Sequence, residues 1–177
     1  MADLFQRITD SRNLIEKIGA VIPGFKGYMD RNARRDADKL LRETVAVRFE
    51  QQWSRISELQ RDLISQGSIE PVDNLEAAAV KIRTLIDRVR TASYGYAGFF
   101  DAVKVNEPEL IKLYQFDASL VDRAVQLSAA VDNVASSMGS DGLPAAIRNV
   151  ATLTQDALDA FQGRNELILG TNAPASQ

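Results

Sequence analysis

Apolar side chains recur along most of the chain at alternating steps of three and four residues, the period of a helix that packs one face against its neighbours. The longest such series is interrupted by a single charged residue. It reads Leu110, Leu113, Asp117, Leu120, Ala124, Leu127, Val131, Val134 and Met138. No segment shows the strict apolar and polar alternation of a half-buried strand. The pattern therefore predicts an all-α protein.

Glycine and proline interrupt this periodicity and separate the predicted helices from one another. The helices are predicted over residues 1–22, 29–65, 72–94, 106–138 and 143–165. The loops between the last four are short, and a short loop returns the chain beside the helix that it has just left. We therefore expect an antiparallel four-helix bundle with an additional N-terminal helix.

The domain organisation follows from the same segments. We expect a single helical-bundle domain over residues 1–166, in which an amphipathic helix at 1–22 precedes a bundle core at 29–166. The heptad-like seams favour coiled-coil packing within that core. Small and polar residues dominate the last stretch, so residues 167–177 are predicted to form a disordered tail.

Composition removes much of the usual catalytic chemistry. The 177 residues include no cysteine and no histidine, which excludes disulfides, Cys/His zinc sites, cysteine nucleophiles and histidine bases. Lys and Arg number 21 against 24 Asp and Glu, and the resulting net charge of -3 argues against a nucleic-acid partner. We therefore expect a protein that is not an enzyme, with no catalytic, metal-binding or cofactor-binding residues.

The pattern predicts no targeting or membrane-spanning segment. Charged residues are spread through positions 1–22, which therefore lack the apolar run of a signal peptide. The longest uncharged run, 167–177, is too short and too polar to cross a bilayer. We expect a cytoplasmic protein, with association to a membrane surface as the alternative.

Two polar residues occupy seam positions in the predicted core. A carboxylate such as Asp117 is costly to bury alone, so we expect it to pair with an arginine or a tyrosine hydroxyl. Gln52 is the polar interruption in the second predicted helix, and both residues are candidates for a structural polar core. The alternative for Asp117 is a metal or acid–base site. The predicted helix that contains Asp117 has no second carboxylate at a seam position to support such a site.

Aromatic side chains cluster after the third predicted helix, at Tyr94, Tyr96, Phe99 and Phe100. We expect them to close one end of the bundle as an aromatic plug, because aromatic residues bury the most area where helices diverge. The alternatives are a platform on which nucleotides stack and a hot spot for peptide binding.

Two neighbouring segments are candidates for interaction with a partner. The N-terminal helix has an apolar stripe at Leu4, Phe5, Ile8, Ile15 and Ile18. The following segment has a basic stripe at Arg31, Arg34, Arg35, Lys39 and Arg42. The basic stripe is typical of a solvated helix face with ion pairs to nearby acids, and the alternative is a surface for an anionic partner. The N-terminal helix either packs on the bundle or binds lipid.

Several short segments also resemble a known family. They are 23–28, with the letters PGFKGY, 34–42, with RRDADKLLR, 92–101, which includes SYGYAGFFD, and 113–117. In these segments the chain resembles an uncharacterised family of small all-helical prokaryotic proteins. The resemblance implies an all-helical fold, and it implies no activity and no site residues.

These observations favour a function in binding. We expect a helical scaffold or accessory protein that acts through protein–protein interaction and self-association. The alternative is a peripheral membrane protein that uses the N-terminal helix and the basic stripe on anionic lipid.

Overall fold

The computed structural model describes residues 2–92, 96–102 and 108–170. Within these ranges the chain forms helices and no strands, which confirms the all-α prediction. The helices are α1 (Ala2–Val21), α2 (Arg34–Ser65), α3 (Glu70–Thr91), α4 (Ala97–Ala102), α5 (Pro108–Ser137) and α6 (Leu143–Gly170). None of the described helices is both long enough and apolar enough to cross a membrane.

The four long helices enclose one apolar core. Helix α2 packs against α3 and α5, and α6 packs against the same two helices on the other side, so the contacts close into a ring. Helix α1 packs on α5, and the short α4 contacts α2. Most residues at the periodic apolar positions of α2, α3, α5 and α6 are buried, as the spacing predicts.

Several helix limits differ from the prediction. Helix α2 begins at Arg34 rather than at residue 29, because Asp30 forms a turn in which its side chain accepts a hydrogen bond from the backbone of Asn32. Helix α6 continues to Gly170 and buries Ile168, so the first four residues of the expected tail are helical. Residues 171–177 lie outside the described residues.

The connection between α1 and α2 is held tightly against α5. Gly27 has a positive φ of 80°, and a Cβ atom there would lie 2.7 Å from the hydroxyl oxygen of Tyr114 and 2.9 Å from Cδ1 of Ile15. Only glycine fits both the backbone conformation and the space. This close approach lets the backbone N–H of Tyr28 donate to the Tyr114 hydroxyl at 2.6 Å. The connection thereby carries Tyr28 into the core.

Candidate functional site

A chain of alternating charges lies inside the ring of helices. Nε of Arg42 donates to Asp38 at 2.8 Å, and the other oxygen of Asp38 accepts from Nη2 of Arg164 at 2.6 Å. Nε of Arg164 also donates to Asp117 at 2.6 Å. All four side chains are buried, and they come from α2, α5 and α6. Two positive and two negative charges therefore compensate one another away from solvent.

Tyrosine and arginine side chains extend this network to the α1–α2 connection. The Tyr28 hydroxyl donates to the second oxygen of Asp117 at 2.5 Å, and its ring stacks on that of Tyr114. Arg34 donates to the backbone carbonyls of Tyr28 at 2.7 Å and Phe100 at 3.1 Å. Asp117 thus has both of the partners that the sequence suggests for it, an arginine and a tyrosine hydroxyl.

Burial and neighbouring charges together set the pKa values of Tyr28, Tyr114, Asp117 and Arg164. Burial raises the pKa of Tyr28 well above its ordinary value and that of Tyr114 to about 12. Burial also raises the pKa of Asp117, while the charge of Arg164 and the hydrogen bonds from Arg164 and Tyr28 oppose that rise. Burial alone would lower the pKa of Arg164, but the carboxylates of Asp117 and Asp38 raise it well above its ordinary value. Arg164 is therefore a permanent cation at the centre of the network.

The sequence analysis did not single out Arg164, Asp38 or Tyr28, and of these three Arg164 is the central one. It lies in α6, where Ala157, Phe161 and Ile168 are buried at the periodic positions and Arg164 occupies the step between the last two. If the apolar series is continued beyond Phe161, Arg164 occupies the next seam position. It would then have been a candidate partner for Asp117, the charged residue in the seam of the fourth predicted helix.

The predicted basic stripe is divided between the interior and the surface. Arg34 and Arg42 are buried, so both the solvated face expected for them and the alternative of a surface for an anionic partner are wrong at these two positions. Arg34 is held by the backbone carbonyls described above, and Arg42 by the carboxylate of Asp38 and the carbonyl of Val89 at 3.2 Å. Buried carbonyls and carboxylates need donors, and these two arginines supply them.

The remaining basic residues are exposed and have nearby acids. Arg31 donates to the backbone carbonyl of Asp101 at 2.8 Å, and Arg35 pairs with the Asp101 carboxylate at 2.7 Å. Lys39 lies 3.8 Å from Glu43, beyond hydrogen-bond distance. The expected stripe is therefore reduced to three surface cations, of which Lys39 is the least constrained.

The polar seam residue Gln52 belongs to a separate contact. It is buried, and its side-chain oxygen accepts from Nη1 of Arg55 at 2.9 Å. Arg55 also pairs with Asp132 of α5. Arg55 thus joins α2 to α5, and Gln52 holds Arg55 from within α2.

The aromatic residues cover the charge network. Tyr96, Phe99 and Phe100 are buried, and the guanidinium groups of Arg42 and Arg164 lie 5.8 and 5.7 Å from the centre of the Tyr96 ring. These distances are those of cation–π contacts. Tyr94, the other residue of the predicted plug, lies outside the described residues.

The apolar stripe of α1 is also divided. Ile18 is fully buried against the core and Ile15 is partly buried, so the prediction of Ile18 as an interaction residue is wrong. Ile8 remains 45% exposed and lines a groove of about 400 Å³ together with Met29, which is 41% exposed. Ser11, Arg12, Ile15 and Glu16 complete this groove. The side chains of Leu4 and Phe5 are not described.

Comparison of the chain with models of known protein families, with curated proteins and with solved structures finds no match. Within the described ranges, no three acidic side chains gather into a group that could hold a metal ion.

Proposed function

We propose that this chain is a non-enzymatic, cytoplasmic scaffold that self-associates through the groove between α1 and Met29. The observation that supports this proposal is the exposure of Ile8 and Met29 in one apolar groove. The two side chains stay exposed even though α1 is packed on the domain and buries Ile18 in the core. An apolar groove beside a helix that is already docked offers surface for a second chain without unfolding the first.

The charges beside the groove favour a second copy as the occupant. Arg12 and Glu16 are one helical turn apart and form a largely exposed ion pair with each other at 3.3 Å, and they flank the apolar side chains. If two α1 helices meet antiparallel about a two-fold axis, Arg12 of each copy lies near Glu16 of the other. A two-fold interface requires such a self-complementary patch.

The proposal gives the buried charges a supporting role. We propose that the ring of α2, α3, α6 and α5 is an antiparallel four-helix bundle, and that the charge chain selects its register. A buried polar pair can act in this way because every misaligned packing leaves a charge without its partner. The bundle then presents α1 as a rigid surface.

Sedimentation equilibrium tests the self-association. We expect the 19.5 kDa chain to approach a mass of about 39 kDa at high concentration. The substitutions Ile8→Glu and Met29→Glu should return the mass to that of a monomer, because each places a charge in the groove. Val80→Glu is the matched control, since Val80 is 55% exposed on α3, which packs against α2 and α6. A wild-type chain that stays monomeric would overturn the proposal.

A second candidate function is binding to an anionic membrane surface. The position of Met29, in the apolar groove and two residues before the exposed Arg31, favours it, because insertion and charge attraction would then act at one site. Arg34 takes no part, since it is buried. Vesicle sedimentation of the full chain tests this function. Salt-sensitive binding to anionic vesicles alone, lost on changing Arg31, Arg35 and Lys39 to Glu, would place it ahead of self-association.

A further inference from the structure

A second pocket lies directly over the buried charge network. Its volume is about 270 Å³, and it is lined by Arg35, Asp36, Asp38, Lys39, Arg42, Tyr96 and Phe100. Asp38, Arg42 and the two aromatic residues are buried and form its floor, while Arg35, Asp36 and Lys39 are exposed at its rim. The pocket is therefore a small opening from the surface to the end of the charge chain.

Arg42 has one terminal nitrogen without a hydrogen-bond partner among the described residues. Its Nε donates to Asp38 and its Nη1 to the carbonyl of Val89, whereas its Nη2 has no acceptor in residues 2–92, 96–102 and 108–170. In the described residues, the enclosed side-chain nitrogens without a partner belong to Arg48, Arg123 and Arg164. Nη2 of Arg42 is therefore not enclosed, and the opening that Arg42 lines is this pocket.

The guanidinium is fixed in place before any ligand arrives. The Arg42 side chain is only 8% exposed, and it is held by Asp38 on one edge and by the Tyr96 ring on one side. A donor that is already ordered loses little conformational entropy on binding. Hydrogen bonds from a guanidinium to an anion are also among the stronger ones in proteins.

The charges around the pocket favour an anion. Lys39 lies one helical turn before Arg42, and its ammonium forms only a loose, exposed ion pair with Glu43 at 3.8 Å. Asp38, the acid in the floor, is already bonded to both Arg42 and Arg164. With Asp36 at the rim, three basic and two acidic side chains line the pocket, so its net charge is positive.

We propose that this pocket binds a small organic oxyanion, in which a phosphate or carboxylate group contacts Nη2 of Arg42 and the Lys39 ammonium. The apolar part of the ligand contacts Phe100 and Tyr96. The volume is just below the range of about 300–1,000 Å³ that is usual for drug-sized ligands, so it suits a compact molecule.

Titration of the full chain, followed by NMR of its backbone amides, tests this site. The probes are phenyl phosphate, benzoate and the neutral benzyl alcohol. We expect both anions, and not the alcohol, to shift the amides of residues 35–42 and 96–100. The tighter-binding anion identifies the source of the oxyanion as phosphate or carboxylate, and either order supports the site.

Two charge-reversed variants distinguish this pocket from general attraction of anions. Lys39→Glu should weaken binding about tenfold, because it replaces an attractive charge at the rim with a repulsive one. Lys81→Glu makes the same change at an exposed position on α3 and should leave the affinity within about twofold. Arg35→Gln is a further rim variant that leaves the buried charges intact. Equal weakening by Lys39→Glu and Lys81→Glu, or no binding of either anion at about 10 mM, would overturn the proposal.

Discussion

At the scale of single residues, the centre of this molecule is Arg164. Its side chain is fully buried, and it donates to Asp117 and Asp38 from two of its three nitrogens. The third nitrogen, Nη1, is enclosed and has no partner among the described residues. An enclosed donor without a partner lowers stability, so the network is not optimised for stability alone.

Replacing Arg164 with methionine should lower the free energy of unfolding by about 3–5 kcal/mol, because the buried carboxylates of Asp117 and Asp38 lose their shared cation. Urea denaturation followed by circular dichroism measures the loss. The loss should shrink at acidic pH. Without Arg164 the pKa of Asp117 rises further in the folded chain, and a raised folded pKa adds stability as pH falls through it.

The exposed pair of Arg12 and Glu16 provides the control for this substitution. Measured on the monomer at low protein concentration, Arg12→Met should change the free energy of unfolding by about 1 kcal/mol or less, as is usual for surface ion pairs. If Arg164→Met costs no more than Arg12→Met, the buried network contributes nothing specific to stability.

At the scale of helices, α1 is a structural part of the domain. It packs on α5, its Lys17 pairs with Asp122 at 2.5 Å, and Ile18 and the adjoining Ile22 are fully buried. The sequence left two alternatives for this helix, packing on the bundle or binding lipid. Its buried face now belongs to the core, which leaves the groove at Ile8 as the surface on which a partner could bind.

Replacing an isoleucine of α1 with alanine should change the free energy of unfolding by different amounts on the two faces of this helix. Ile18→Ala should lower the free energy of unfolding by about 2–5 kcal/mol, because it leaves a cavity in the core. Ile8→Ala, at a position 45% exposed, should cost less than about 1 kcal/mol in the monomer. Urea denaturation at low protein concentration compares the two variants. Similar losses for both would mean that α1 packs differently from the arrangement described.

The periodicity of the sequence predicted the helices well and the polar site poorly. Long apolar series identify helices because the buried stripe must repeat with the helix turn, so five of the described helices were expected and α4 was not. The spacing of the apolar residues does not show whether an arginine side chain points into the core or into solvent. Arg34 and Arg42 turn inward because the backbone carbonyls of Phe100 and Val89, which belong to distant segments, accept from them, and such contacts appear only in three dimensions.

At the scale of the whole molecule, three tyrosines tie the helices together at one end. Tyr28 and Tyr114 join the α1–α2 connection to α5, and the Tyr96 hydroxyl donates to Asn165 of α6 at 2.8 Å. Burial raises the pKa of all three hydroxyls above the ordinary value of 10.0. Their neutral forms are therefore part of the folded state.

Alkaline pH should unfold the protein cooperatively. A tyrosine whose pKa is higher in the folded chain than in the unfolded chain contributes its full stabilisation below pH 10. This stabilisation is lost as the pH rises towards the pKa in the folded chain, which is about 12 for Tyr114. The ultraviolet absorbance of phenolate and the helical circular dichroism should change together between these values. Ionisation of all tyrosines near pH 10 with the helices intact would contradict the burial of these hydroxyls.

The position of Arg164 in the chain also has a consequence for synthesis. Asp38 precedes it by 126 residues and Asp117 by 47, so the ribosome releases both carboxylates before the cation that they share. Until α6 emerges, a nascent chain that collapses around α2 and α5 would leave Asp38 with Arg42 alone and would enclose Asp117 without a cation, which is strongly unfavourable. The last helix thus acts as a checkpoint for folding, and premature compaction of an incomplete chain is discouraged by its own charges.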